Sequence, residues 1–334
     1  MQICNIMSSI RDRVEAQRFI KNLSGETKFI VSKNSRAIGL SRQTYQNKLD
    51  NLRDQKIITN FTIIINPNIR PNNLKYIMLE IKTNPKEPKL VEELLKIPNI
   101  RMIDGIFGEF SLIALLIFKS NEEYYQILNK IDKIMAYSYF KKYQIIETIK
   151  VFKTNGIKVD KEKINLEHNI DEIDHIILNI LQNEQGVKPI STYEIRDIII
   201  EKYESILKQN DKEDISQSTI HNRIKRLEGS RIIMNYIVNF CPKRAGFKGK
   251  YILRIKPKDP SKYDDLALRL ENKKEITDLF RIGEQYGLFA IVRVKKVSDY
   301  GKFIKDLYET EDIEDTFTNF VLDELKPYTN FKLY

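Results

Sequence analysis

The 334-residue chain contains an internal repeat, and the repeat limits its fold more than any other feature. Laid without a gap at an offset of 175, Ser41–Ile65 meets Ser216–Phe240. Ser41 falls on Ser216, Thr44 on Thr219, Asn47 on Asn222, Lys48 on Arg223, Leu52 on Leu227 and Phe61 on Tyr236. At the same offset Lys75-Tyr76-Ile77 meets Lys250-Tyr251-Ile252, and Gly108-Glu109 meets Gly283-Glu284. Similarity at one fixed offset is the mark of a structural unit used more than once. The chain therefore reads as two copies of one unit, each about half its length.

The repeated stretch has a definite local form. Ile220, Ile224 and Leu227 recur at i, i+4, i+7, one buried stripe of a helix. Ser216 or Ser218 can cap its start, because a hydroxyl accepts from an orphan backbone N–H there. Gly229 is a plausible stop. Ile232–Phe240 is β-branched and aromatic, which suits a strand or wing. In the first copy Val14–Leu23 reads as a helix with Val14, Phe19, Ile20 and Leu23 inward. A second short helix is expected within Lys28–Ile38, and Gly39-Leu40-Ser41 turns into a third at Arg42–Asp54. Ile57–Ile65 is the matching wing, and Pro67 and Pro71 mark a linker. The second copy opens with helix Asp171–Gln182, whose acidic Asp171, Glu172 and Asp174 suit the helix dipole. Helix Ile190–Gln209 follows, capped by Ser191 or Thr192, then an extra polar loop at Lys208–Asp214.

Each copy continues as strand, helix, two strands, helix, strand. In the first the segments are Tyr76–Lys82, Pro88–Lys96, Ile100–Phe107, Ser111–Lys119, Glu122–Ala136 and Tyr143–Lys153. In the second they are Lys250–Lys256, Ser261–Glu271, Ile276–Ile282, Gly287–Lys295, Ser298–Glu309 and Glu314–Leu325. That order is the ferredoxin-like split βαβ pattern. Two helices on one sheet face leave the other face to be covered by a partner or by the second copy. The expected fold class is α+β: a helical segment closed by a strand, then a βαββαβ domain, twice along the chain. The polar stretch Asn155–Asn169 is read as the linker between copies.

The net charge of +10, with an isoelectric point near 9.2, favours a polyanionic partner. Two cysteines, Cys4 and Cys241, cannot build a disulfide framework or a cysteine-rich zinc site. The longest apolar run, Leu112–Phe118, is too short to span a bilayer. Met1–Ile10 lacks a secretory signal pattern. A cytoplasmic protein without a membrane partner is expected.

Three segments carry a family resemblance. D-E-I-D-H-I-I-L-N-I-L-Q at Asp171–Gln182 resembles the opening helix of the Lrp/AsnC (feast/famine) transcription regulators. S-T-I-H-N-R-I-K-R-L-E with I-I-M-N-Y, within Ser218–Tyr236, resembles their recognition helix and wing. I-G-E-Q-Y-G-L-F-A at Ile282–Ala290 resembles their effector-domain turn. In the first half G-L-S-R-Q-T-Y-Q-N-K-L at Gly39–Leu49 and G-E-F-S-L-I-A at Gly108–Ala114 match less fully. The chain is thus similar to a tandem fusion of two family units. The resemblance implies two winged helix-turn-helix domains (1–68 and 165–241) alternating with two αβ-sandwich effector and oligomerisation domains (72–155 and 247–334). The family's turn is usually G-E-Y-D, and Gly287 and Ser111 stand where it has aspartate.

A DNA-binding transcription regulator is the expected function. The expected partners are double-stranded DNA and a self-association through the sandwich domains, within or between chains. The recognition helices lie at about 42–54 and 217–229. Their contact candidates are Arg42, Gln43, Thr44, Gln46, Asn47 and Lys48, then Ser218, Thr219, His221, Asn222, Arg223 and Arg226. Amides suit adenine edges and arginine suits guanine. Arg42, Arg53, Lys56, Arg226 and Arg231 are expected at phosphates, which position without specifying. For each residue singly, a solvated helix face is the alternative. The effector candidates are Gly108, Glu109, Ser111, Gly283, Glu284, Tyr286 and Gly287, for an amino acid or other small molecule. A plain turn between strands is their alternative.

No cofactor, metal or catalytic residue is expected. His168, His175 and His221 fall in no metal-ligand spacing, and no Cys–His or G-x-S-x-G arrangement occurs. One enzymatic rival remains, because siroheme decarboxylases also look like Lrp/AsnC proteins and can be two-unit fusions. They carry a His-Asn-Tyr-type segment in the effector domain, and the matching Ile97–Ile106 and Glu275–Ile282 have no histidine. A non-DNA scaffold or ligand-sensing protein is the third alternative.

Overall fold

The computed structural model describes residues 10–69, 73–159, 170–209 and 214–333. Pro71, His168 and parts of both expected polar connections lie outside these residues. In chain order the elements are helices α1 (Ile10–Leu23), α2 (Val31–Ala37) and α3 (Arg42–Asp54), then strand β1 (Ile58–Ile65). Next come β2 (Lys75–Ile81), α4 (Pro88–Leu95), β3 (Ile100–Ile106), β4 (Leu112–Phe118), α5 (Asn121–Ala136), β5 (Tyr143–Thr154) and β6 (Ile157–Lys158). The order then recurs as α6 (Glu172–Asn183), α7 (Thr192–Gln209), α8 (Gln217–Gly229), β7 (Ile233–Phe240) and β8 (Gly249–Pro257). It ends with α9 (Tyr263–Leu270), β9 (Ile276–Ile282), β10 (Leu288–Val294), α10 (Val297–Tyr308) and β11 (Ile313–Lys326). The elements are mixed helix and strand, grouped into two compact units.

The first unit holds α1–α3, β1, α6–α8 and β7. Ala16, Phe19, Ile20 and Leu23 are buried along α1. Val14 is 63 % exposed, against expectation. It falls off the i, i+3, i+4, i+7 stripe that begins at Ala16. α3 and α8 are built alike. Ser41 Oγ accepts from the Thr44 N–H at 3.1 Å, and Ser216 Oγ from the Thr219 N–H at 3.1 Å. Both helices end on a left-handed residue, Lys56 (φ 53°) and Arg231 (φ 61°), which stand at the 175 offset. The next N–H then reaches back, from Ile57 to the Leu52 carbonyl at 2.9 Å and from Ile232 to Leu227 at 3.0 Å. This six-to-one closure satisfies carbonyls that a helix end leaves open. In α8 the turn falls at Arg231 rather than at Gly229.

Neither segment read as a wing forms a local hairpin among the described residues. β1 pairs antiparallel with β7 instead, and Thr62 faces Ile237, its own counterpart at the 175 offset. Pairing is therefore two-fold symmetric about that pair, with Ile58 opposite Phe240 and Ile63 opposite Tyr236. Each strand is apolar along most of its length and buried, so it needs cover that a solvent-exposed wing would not supply. The segments after α1 and α6 brace the ribbon. Tyr236 exchanges two backbone hydrogen bonds with Gly25 (3.0 and 2.7 Å), and the Phe61 N–H reaches the Gly186 carbonyl at 3.0 Å.

The second unit holds the remaining elements. Its strands run β2-β4-β3-β11-β8-β10-β9-β5, and β5 returns to pair with β2, which closes a ring; β6 is appended to β5. β5 and β11 are long because each serves two neighbours. β5 pairs β2 through Tyr143–Glu147 and β9 beyond Thr148, while β11 pairs β8 first and β3 from Val321 on. Side chains alternate across each strand. One face of the ring packs α4 and α5 over Leu79, Ile103 and Ala114, and α9 and α10 over Leu253, Leu279 and Ala290. The other face forms one inner core, with Met78, Met102, Ile113 and Leu115 beside Ile252, Phe280, Phe289 and Ile291.

The two faces of the ring correct the ungapped repeat. Tyr76 points into the inner core while Tyr251 packs under the helices, so β2 matches β8 at an offset of 174 and not 175. Tyr76 then opposes Ile117 as Lys250 opposes Arg293, and Glu80 opposes Ile113 as Arg254 opposes Phe289. A slip of one residue exchanges the faces of a strand. Asn155 also departs from its linker reading. It is buried, and its N–H donates to Asp278 Oδ1 at 2.8 Å.

Candidate nucleic-acid interface

α3 and α8 bury one stripe each, Tyr45, Leu49 and Leu52 in the first and Ile220, Ile224 and Leu227 in the second. The opposite faces are open. On α3, Arg42, Gln43, Thr44 and Asn47 are exposed, and Gln46 and Lys48 half-buried. Gln43 Nε2 donates to Asn47 Oδ1 at 2.8 Å, and Gln46 Nε2 to Asp50 at 3.0 Å. On α8, Ser218, His221, Asn222 and Arg226 are exposed, with Thr219 and Arg223 half-buried. Both helices present a short amide and hydroxyl surface on a capped first turn.

The cations differ between the two helices. Lys48 pairs with Glu15 of α1, and both side chains are partly open to solvent. Arg223 Nη1 lies 2.8 Å from Asp171 Oδ2 and 2.8 Å from Asp174 Oδ1. Arg226 Nη2 lies 2.8 Å from Asp174 Oδ2. Asp174 is fully buried, and its backbone N–H donates to Asp171 Oδ1 at 2.8 Å in the capping box of α6. Burial pushes the Asp171 carboxyl up, but the Asp174 N–H and the Arg223 guanidinium hold it below the usual carboxylate range. Burial opposes the charge on Arg223, yet Asp174 and Asp171 raise its pKa further. Two acidic residues read as dipole partners are thus also anchors for α8. The i, i+3 arginine pair opposite an i, i+3 aspartate pair was the signal for it.

Other expected phosphate contacts are also occupied. Arg53 pairs with Asp50 at 2.8 Å and stacks 5.9 Å over the Phe61 ring. Arg231 pairs with Glu26 at 3.1 Å.

The residues proposed for an effector sit at two strand turns of the second unit, each closed by its own side chains. Gly108 has φ 151°, Glu109 pairs with Lys142 at 2.6 Å, and Ser111 Oγ accepts from the Thr83 N–H at 2.8 Å. At the other turn the Gly283 N–H donates to the Glu147 carbonyl at 3.1 Å. Glu284 meets Arg254 at 2.9 Å, and the Tyr286 hydroxyl meets Asp315 at 2.5 Å. The Arg281 guanidinium stacks 3.5 Å over Tyr263 and donates to the Gly287 carbonyl at 2.7 Å. A Cβ at position 287 would lie 1.6 Å from Arg281 Nη1, so an aspartate has no room there while Arg281 keeps this pose.

Comparison with known proteins now bears on these features. Residues 251–331 match the Lrp/AsnC ligand binding domain. The HTH-type transcriptional regulator FL11 of Pyrococcus horikoshii is 27 % identical over 164 residues, 49 % of this chain and 97 % of that protein. The HTH-type transcriptional regulator Ptr1 of Methanocaldococcus jannaschii is 33 % identical over 92 residues, 28 % of this chain and 62 % of its own length. The chain therefore has relatives among Lrp/AsnC-type regulators, and it is about twice the length FL11 covers. Over nearly its full length it shares a fold with the siroheme decarboxylase NirDL, with a TM-score of 0.59 and 11 % identity over 97 % of this chain and 94 % of that one. No described helix is long and apolar enough to cross a membrane.

Proposed function

We propose that the chain is a sequence-specific DNA-binding transcription regulator of the Lrp/AsnC type, built as a tandem fusion of two family units. Each unit contributes a helix-turn-helix and a βαββαβ sandwich domain. One observation carries the proposal: α3 and α8 share caps, closures and open polar faces, and a two-fold strand ribbon ties them into one unit. A symmetric pair of reading helices suits two half-sites on a duplex. Gln43, Thr44 and Asn47 read bases in one half-site; Ser218, His221 and Asn222 read the other. Arg42 and Arg226 hold phosphates. Because these sets differ, the two half-sites differ.

Selection of binding sites from random duplex DNA tests this, followed by gel shift at several salt concentrations. The expected result is a composite, asymmetric site whose affinity falls steeply with salt as counterions are released. A single perfect palindrome, or no retention on duplex DNA, overturns it.

The whole-chain likeness to NirDL supports a second reading, a tetrapyrrole enzyme on the same scaffold. Against it, His168, His175 and His221 all lie outside residues 72–159 and 247–328, which form the second unit. A Soret shift on titration with siroheme would favour it.

A further inference from the structure

The two halves of the strand ring correspond in pairing register position by position. β3 and β4 match β9 and β10 at an offset of 176: Asp104 opposes Ile113 as Phe280 opposes Phe289. β5 matches β11 at 173, since Thr148 opposes Ile282 as Val321 opposes Ile106, and Val151 opposes Phe280 as Glu324 opposes Asp104. With β2 and β8 at 174, Glu80 is the counterpart of Arg254, Tyr76 of Lys250, and Asp104 of Phe280.

The contacts between halves follow this symmetry in place and break it in chemistry. Glu80 Oε1 lies 2.5 Å from Arg254 Nη2. A contact between counterparts lies on the two-fold axis, where two identical halves would set like against like. Glu80 and Arg254 are both buried, at 3 % and 7 % exposure. Two buried Glu80 carboxylates would repel in a medium that screens them poorly, whereas each of two Arg254 guanidiniums would bring its own Glu284, 2.9 Å away. Off the axis, Lys250 Nζ lies 2.6 Å from Asp104 Oδ2. The symmetry mate of that ion pair is aromatic: Tyr76 and Phe280, with ring centroids 5.7 Å apart. A pair of second halves would set Phe280 at the place of Asp104 but Asp278 at the place of Met102, whose Sδ lies 3.2 Å from Lys250 Nζ, so this contact alone does not reject a second copy of that half.

We propose that these contacts form a recognition code between the halves. The first half accepts the second and rejects a second copy of itself. The partner this surface fits is the non-identical half, so the sheet ring is a heterologous pairing encoded in one chain. The proposal rests on the tandem-unit reading above and adds what selects the pairing.

The test uses the full-length chain with four variants, E80R, R254E, E80R/R254E and E80L/R254L. Chemical denaturation and light scattering after refolding are the measurements. E80R sets two guanidiniums against the one carboxylate of Glu284, and R254E sets a third carboxylate beside Glu80 and Glu284; each is expected to raise the unfolded-to-folded ratio, by roughly a hundredfold. The double reversal restores the ion pair and recovers part of that loss, since its carboxylate then faces Glu284. The leucine pair keeps the denaturation midpoint to within the loss of Glu284's partner, because a buried ion pair is replaceable by packed apolar groups. After refolding it forms higher-mass species that the natural chain, treated alongside, lacks. The code is overturned if the double reversal equals the sum of the singles, or if the leucine pair refolds to the natural mass distribution. Gel shift on the same preparations separates the two ideas. A natural chain that does not bind DNA sinks the regulator reading and leaves the coupling result standing. DNA binding with no coupling sinks the code alone.

Discussion

The described residues of 10–159 and of 170–326 share one order of elements and use charge in opposite ways. Both have a serine cap, a left-handed closure and matching strand registers. In the first stretch the slots at Tyr76, Ile117 and Val151 hold uncharged side chains, and the cation of α3 meets an exposed glutamate. In the second stretch the same slots hold Lys250, Arg293 and Glu324, and α8 is anchored by the buried Asp174. Backbone geometry has few solutions at a cap or a closing turn, so both stretches keep it. The filling of a slot has many, provided each buried charge finds its partner.

The sharpest way to break this comparison is at Arg293. It meets Glu324 through two nitrogens, at 3.0 and 2.6 Å. Arg293→Met is expected to cost about 3–5 kcal/mol, because it leaves a buried carboxylate short of its main partner. Ile117→Val, at the counterpart position, is expected to cost about 0.5–1.5 kcal/mol. Denaturant midpoints decide, and equal losses would refute the contrast. The pair also predicts a pH dependence. Burial pushes the Glu324 carboxyl up, but Arg293 and Lys250 outweigh it and hold it down to about 2. A carboxyl lowered on folding stabilises the fold above its unfolded value and loses that contribution as pH falls toward its folded one. The stability gap between the natural chain and Glu324→Gln should therefore be full at neutral pH and close between about pH 4.5 and 2.

Asp174 and Glu15 make the next comparison. Asp174→Ala removes a buried partner of both Arg223 and Arg226 and half of a capping box, for an expected loss of about 3 kcal/mol. Glu15→Ala removes one partner of an exposed pair, for about 0–1 kcal/mol. Freed arginines on α8 should also tighten non-specific DNA binding in Asp174→Ala, which gel shift on random duplex would show.

These contrasts bear on how far the sequence was legible. The repeat around α3 and α8 was readable because caps, apolar stripe and closure keep one offset of 175 through β1 and β7. Beyond β7 the offset drifts to 174, 176 and 173, and a one-residue drift inverts a strand. So the Lys-Tyr-Ile match placed Tyr76 with Tyr251, which lie on opposite faces of the ring. The βαββαβ order survived, because it depends on periodicity within each segment. The β1–β7 ribbon was hidden for another reason. A strand's sequence shows that it will be buried but not which distant strand buries it. For the candidate interface, the exposed residues were found from the apolar stripe by elimination. The tie from Arg223 and Arg226 to Asp171 and Asp174 was missed, because it joins two helices that only packing brings together.

A smaller effect sharpens the comparison at the proposed interface. Asn47 and Asn222 stand at the same offset and are both exposed. If each reads an adenine, Asn47→Ala and Asn222→Ala should each weaken specific binding by about 1–3 kcal/mol. Each should relax selection in one half-site only. Competition against duplexes altered in either half-site measures this, and relaxation of both half-sites by one variant would contradict separate readers.

The smallest expected effect concerns what the two stretches share. Ser41 and Ser216 cap α3 and α8 with the same bond, 3.1 Å to the third residue's N–H. Removing such a cap leaves an orphan donor at a helix start and typically costs about 1 kcal/mol. The hydroxyls also differ in company. Ser41 has Thr44 at 2.9 Å, while Ser216 has both Ser218 and Thr219 at 2.8 Å. Neighbouring hydroxyls can rotate toward the freed N–H, and α8 has more of them. Ser41→Ala should therefore cost the full amount and Ser216→Ala slightly less, both well below Asp174→Ala. Denaturation of the two variants side by side measures the difference. A Ser216→Ala loss as large as that of Asp174→Ala would mean that the cap, and not the buried ion network, anchors α8.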